Sequence, residues 1–191
     1  MERRDVIRTR NAIKEAYLTL SLKMPLNKIT VTGIIDELQI SRATFYAHFQ
    51  DVIELREKVE QDYIDKKLNR LEDMDLGKLS ENPYPMLIKG FQMFRDNAEY
   101  IRGLTDNGKD DSFFHRYKFA MKEKISQYID LSPDDIKNSI VISCIASIYV
   151  DFCREIVCDQ AGKFDLEEYA RIIGGYMAAG IQGVHPQRGE K

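Results

Sequence analysis

The side chains whose types and spacing could do chemistry are concentrated between Ile29 and Phe49. Thr30 and Ser41 each precede a short run with helical apolar periodicity, where a hydroxyl can accept from a backbone N–H two or three residues on and start a helix. Val31, Ile34, Ile35 and Leu38 recur at three-to-four-residue spacing, which predicts a first helix of only about two turns. A turn through Leu38, Gln39 and Ile40 follows. A second helix is predicted from Arg42 to His48, with Phe45 and Phe49 four residues apart and facing a core. Arg42, Ala43, Thr44, Tyr46 and His48 are then left on or near the outward side. Such a set suits reading of a DNA groove: Arg42 can reach guanine edges, Thr44 can pair with a base or touch a thymine methyl, and Ala43 lets the backbone approach. Tyr46 and His48 can donate to phosphate oxygens.

The stretch resembles the helix-turn-helix of the TetR-like (TetR/AcrR) bacterial transcriptional regulators. Ile29-Thr30-Val31, Ile34 and the run Ser41-Arg42-Ala43-Thr44-Phe45-Tyr46-Ala47-His48-Phe49 carry the resemblance. Three positions depart from the family pattern. Gln39 stands where the family has its turn glycine, so a non-glycine residue is expected at positive φ. Gly33 lies inside the first helix, at a cost of about 1 kcal/mol relative to alanine. Gln50-Asp51 replaces a lysine-bearing pair and removes one phosphate contact that the pattern would supply.

Other elements must hold this hairpin. Residues 1–24 read as a first helix with Val6, Ile13, Ala16, Tyr17 and Leu20 in one stripe. Its opening turns carry Arg3, Arg4, Arg8 and Arg10, although a helix N-terminus favours negative charge by a few tenths to about 1 kcal/mol per group. An external anion would resolve that conflict, so Arg3, Arg4 and Arg8 are candidate phosphate or minor-groove contacts of a basic arm; Lys28 is a further phosphate candidate, and Thr30 and Thr32 are candidate DNA contacts. After the hairpin, Asp51 and Glu54 form a capping pair for a helix running to about Leu71 with Val52, Leu55, Val59 and Tyr63 on one face. Residues 72–83 are turn-rich and read as a loop. Helices are expected at about 85–96 and 110–129, with a polar loop from Thr105 to Asp111. Ser132 and Pro133 are expected to open a long helix, and Leu166 to about Val184 forms the last one. The tail from His185 to Lys191 is polar.

Net charge is −3 over 191 residues, yet it is unevenly spread. Residues 1–50 hold eight Lys/Arg against five Asp/Glu, a balance of +3, whereas 51–191 hold twenty against twenty-six, a balance of −6. The basic end is the end with the hairpin, and nucleic-acid attraction depends on such local clustering. Cys144, Cys153 and Cys158 are an odd count without a C-x-x-C pair, so reduced buried thiols are expected rather than disulfides or a metal site. Neither of the most apolar stretches, 140–150 and 172–184, reaches the ~20 apolar residues of a membrane-spanning helix, and no secretory signal is visible. A cytoplasmic protein is the expectation. His48, His115 and His185 lie apart, and no H-E-x-x-H, G-x-S-x-G or phosphate-loop pattern occurs, so no catalysis, cofactor or metal is expected.

Tyr84 to Phe119 holds eight of the chain's nineteen aromatic residues. Rings at this density form either a core or the wall of a small-molecule pocket. Phe91, Phe94, Tyr100, Phe114, Tyr117 and Met121, with Cys144 and Ser147 from the next helix, are the candidate effector pocket. The helix through residues 140–150 is apolar nearly all round and needs cover on both sides. Gly175, Ala179 and Gly183 run beside the apolar stripe of the last helix and suggest close helix approach. Ile148, Phe152, Tyr169, Ile173, Tyr176, Met177 and Gly180 are the candidate dimer interface. The carboxy-terminal half resembles the ligand-binding and dimerisation domain of the same family. The arrangement from Asn97-Ala98-Glu99-Tyr100 to Phe113-Phe114 is similar to the subgroup that includes the dihydroxyacetone kinase operon activator.

The resemblance implies an all-α fold: residues 1–50 a three-helix helix-turn-helix DNA-binding domain, and 51–191 a helical ligand-binding bundle that dimerises through a four-helix interface. It implies a homodimeric repressor on a near-palindromic double-stranded DNA operator, released by a small-molecule effector and with no membrane partner. The competing expectation is a helical coactivator that works through a protein partner with weak or no DNA binding.

Overall fold

The computed structural model describes residues 4–69, 82–128, 135–159 and 162–184. Among them all regular structure is helical: α1 (Arg4–Lys23), a 3-10 turn (Leu26–Lys28), α2 (Val31–Leu38), α3 (Arg42–Tyr46), α4 (Val52–Asn69), α5 (Tyr84–Asp96), α6 (Ala98–Leu104), α7 (Ser112–Tyr128), α8 (Ile136–Cys158) and α9 (Leu166–Val184). The expected all-α class is therefore observed.

The chain divides into two compact units, one of residues 1–63 with 99–113, the other of 64–98 with 114–191. In the first, α1 packs on α2 and α2 on α3. Its core holds Ile13, Tyr17, Leu20, Ile29, Ile34, Phe45, Phe49, Leu55 and Val59, with Ile101 and Leu104 from α6. The stripes expected on α1 and α4 supply Ile13, Tyr17, Leu20, Leu55 and Val59, five of these eleven. In the second, α5 packs on both α8 and α9, and α8 packs on α9. Leu87, Phe91, Phe94, Tyr117, Ile145, Tyr149, Val150, Cys153, Ala170, Ile173, Met177 and Ile181 fill that core.

Several element limits differ from expectation for identifiable reasons. α3 stops at Tyr46, and the turn beyond it tightens, the His48 N–H turning back only three residues to Phe45 O at 2.9 Å. α6 has no counterpart among the expected helices. It is a separate helix because Asn97, at φ −114°, interrupts the chain after α5, and its Nδ2 donates to Met93 O at 2.7 Å. α7 begins at Ser112, whose N–H donates to Asp110 Oδ1 at 2.8 Å. The expected Ser132–Pro133 opening of α8 lies outside the described residues, as do most of the 72–83 loop, Arg3 and the tail from His185. Within them, α8 is capped by Asp135, whose carboxylate accepts from the Lys137 N–H at 2.8 Å.

Candidate nucleic-acid interface

Two hydroxyl caps build the hairpin. Thr30 is extended and accepts from the Gly33 N–H at 3.1 Å; Ser41 is extended and accepts from the Thr44 N–H at 3.0 Å. Each satisfies an N–H that the first helical turn leaves without an intrahelical partner. Between the caps, Gln39 takes φ 54° and ψ 41°, the left-handed region expected of it, and its Nε2 donates to Asp36 O at 2.7 Å. That amide contact helps hold a conformation glycine would adopt without steric cost.

Phe45 and Phe49 turn inward, Phe45 completely. Their anchoring leaves Arg42, Ala43 and Ala47 exposed, with Tyr46 half out of the protein at 51% exposure. The Tyr46 ring meets Phe45 edge-on, with centroids 5.5 Å apart. Thr44 is half-buried, and its Oγ1 lies 2.8 Å from Ser41 Oγ, so its hydroxyl takes part in the cap. Arg42 is not loose: its Nη2 donates to Thr32 Oγ1 on α2 at 2.8 Å. His48 is half-buried, and its Nδ1 is enclosed with no hydrogen-bond partner among the described residues, so any phosphate contact must use Nε2. Lys28, Thr30, Thr32, Arg4 and Arg8 are all exposed. Asp51, standing where the family pattern has positive charge, braces the start of α4. It accepts from the Glu54 N–H at 2.8 Å, and Glu54 Oε2 accepts from the Gln50 N–H at 2.6 Å.

Behind this surface lies an ionic group that sequence reasoning missed. Arg56 on α4 donates to Glu60 at 2.6 Å, to Asp110 at 2.8 Å and to Ser112 Oγ at 2.6 Å. Glu60 has a fully buried side chain. The hydrogen bond from Arg56 holds the Asp110 carboxyl well below the usual carboxylate range, against the effect of its partial burial. Tyr17 stands beside the group, and burial pushes its phenol up. In the same unit, Tyr63 stacks on Tyr100 at 4.9 Å. The available signal was the Arg56/Glu60 spacing of four, set among the buried Leu55 and Val59.

The second unit sorts the other candidates. Phe91, Phe94, Tyr117, Phe114 and Met121 are buried in its core. Phe91 stacks on Tyr149 at 5.6 Å, Phe94 meets Tyr117 edge-on at 5.2 Å, and Arg154 lies over the Phe114 ring at 5.2 Å. Tyr149, absent from the expected set, is thus the centre of the cluster. Burial pushes its phenol and the Cys153 thiol up, so both stay protonated. A Cβ at Gly90 would lie only 2.3 Å from the Tyr149 hydroxyl, so α5 and α8 meet where residue 90 has no side chain. Tyr100 belongs to the first unit, Cys144 is exposed, and Ser147 is half-buried with its hydroxyl donating to Ser143 O at 2.7 Å.

Of the expected dimer residues, Ile173 and Met177 point into the core of the second unit. They share a stripe with Ala170 and Ile181 that packs inward. Ile148, Phe152, Tyr169 and Gly180 are half-buried, and Phe152 and Tyr169 pack together at 5.4 Å. Tyr176 is 71% exposed and shares the outer side with Ile172, while Ile136, Ile140 and Cys144 line the outer side of α8. Gly175 and Gly183 have open space around them, so the close approach expected of them does not occur among the described residues. Cys153 is buried as expected, but Cys144 and Cys158 are exposed.

No helix among the described residues is long and apolar enough to cross a membrane. The chain matches no family model and no curated protein. Among solved structures it is similar to a TetR transcriptional regulator from Streptococcus agalactiae 2603V, at 19% identity and a TM-score of 0.70, over 91% of this chain and 96% of that one. It is similar also to the dihydroxyacetone kinase operon activator DhaS, at 19% identity and a TM-score of 0.63, over 92% and 97% of the two chains. Over about nine tenths of its length the chain therefore shares the all-α fold of these two solved structures, the first of them a TetR transcriptional regulator.

Proposed function

We propose that the protein is a DNA-binding transcriptional regulator, a homodimeric repressor whose hold on a near-palindromic operator is released by a small-molecule effector. The observation that carries the reading is the doubly capped hairpin, which anchors Phe45 inside and turns Arg42, Ala43 and Tyr46 outward. Residues 1–50 supply the DNA contacts, and 51–191 supply the effector and dimer contacts. Arg42 reads a guanine edge; Lys28, Thr30, Thr32, Tyr46, His48 and the arginines of α1 engage phosphates. The aromatic cluster around Phe91, Phe94 and Tyr117 is the effector-binding region. The partner protomer covers the outer side of α8 and α9, and two recognition helices then meet successive major grooves about 34–36 Å apart.

Titrations of matched and scrambled duplexes test the reading. Tyr46→Phe should weaken binding to every sequence alike, whereas Arg42→Ala should cut discrimination by about tenfold or more, the worth of a bidentate base contact. Equal losses on both duplexes for Arg42→Ala would remove the base-reading role. An unretarded duplex at low salt would favour action through a protein partner.

A further inference from the structure

Thr32 and Arg42 are ten residues apart, on opposite sides of the turn, and their side chains meet. The guanidinium Nη2 donates to Thr32 Oγ1 at 2.8 Å, and both residues are exposed. Arg42 is the first residue of a helix only five residues long, so its own element offers it little lateral support. A free arginine on such a surface samples many rotamers and loses that freedom when it docks.

The donor inventory shows what the contact leaves available. A guanidinium has five N–H donors and no acceptor. Thr32 takes one, and the remaining four include the paired donors that a guanine O6/N7 edge requires. The threonine oxygen accepts from Arg42, so its own hydrogen is still free to be donated to a phosphate oxygen. One hydroxyl can thus touch the DNA backbone and the base-reading side chain at the same time.

Resting on the DNA-binding reading, we infer that Thr32 is a positioning residue for Arg42: it orients the guanidinium toward a guanine edge and ties that orientation to the neighbouring phosphate. Thr32 sets specificity through Arg42. Its hydroxyl is the active group, so a hydroxyl on a smaller side chain should serve nearly as well.

The full-length protein is first used to select duplexes from a randomised pool, and the selected duplex and its guanine-substituted variants serve as probes. Thr32→Val, which keeps the shape and loses the hydroxyl, should reduce discrimination at the Arg42-dependent guanine by about five- to tenfold, with a smaller change on scrambled duplex. Thr32→Ser should restore most of it. In an Arg42→Ala background, Thr32→Val should produce no further loss of discrimination, the non-additivity expected of two side chains acting as one. Helical circular dichroism of each variant separates misfolding from lost recognition. Equal losses on selected and scrambled duplexes, unchanged by the Arg42 background, would overturn the inference and leave Thr32 a plain phosphate contact. An unaltered Thr32→Val would overturn it too. A wild-type protein that selects no duplex would defeat the DNA-binding reading itself, and this inference with it.

Discussion

Gln39 shows at the scale of one residue what the sequence could and could not reveal. Its positive φ was legible through the resemblance, because Gln39 stands where the family pattern has its turn glycine. Its compensating amide bond to Asp36 was not, since rotamers do not appear in a pattern of residue types. Gln39→Gly should stabilise the protein by up to about 1 kcal/mol, the usual cost of a side chain in the left-handed region less the lost amide bond. Urea unfolding would measure it, and a decrease in stability would mean that the amide bond outweighs the strain. The outward placement of Arg42, Ala43 and Tyr46 follows from the spacing of Phe45 and Phe49 alone. The tie from Arg42 to Thr32 needed coordinates, because it joins two elements whose crossing no periodicity describes.

At the scale of elements, caps and stripes carried most of the information. Thr30, Ser41 and Asp51 all cap the helices expected of them, since each satisfies a local need that local sequence expresses. α6 escaped because seven residues are too few to show a clear period. The Arg56 group escaped because Asp110 lies 54 residues away in the chain. That group clamps α4 to the connection between α6 and α7, so its loss should be felt by whole helices. Arg56→Met removes the guanidinium from the buried Glu60 carboxylate and should cost roughly 3 kcal/mol, as broken buried pairs do. The pH dependence follows from Asp110, whose folded pKa is depressed. Its contribution is present above the unfolded value of about 3.9 and is lost as pH falls below it. Wild-type stability should therefore decline on acidification from about pH 4, and Arg56→Met should decline less steeply over the same interval. Denaturant titrations at stepped pH would show parallel acid limbs if the clamp contributes nothing.

For the whole molecule, the all-helical architecture was legible because nearly every segment carries its own periodicity and punctuation. The assignment of faces in the last two helices was not. Ile173 and Met177 look as suitable for an interface as Tyr176 in the sequence, and only packing shows that the first two are interior while Tyr176 and Ile140 are exposed. A lone chain leaves Ile136, Ile140, Ile172 and Tyr176 exposed to water on the outer sides of α8 and α9, and exposed apolar side chains that gather in a patch mark contact sites. The homodimer proposal places the partner there. Ile140→Glu with Tyr176→Glu should shift sedimentation from dimer to monomer while retaining helical circular dichroism, and should weaken operator binding with it. A double variant that stays dimeric would move the interface elsewhere.

The hydroxyl of Tyr149 pressed against the bare backbone of residue 90 has an evolutionary implication. Any descendant of this chain that gains a side chain at 90 must first surrender, or simultaneously trim, the ring at 149. Substitution at one of the two positions should therefore be accompanied by substitution at the other.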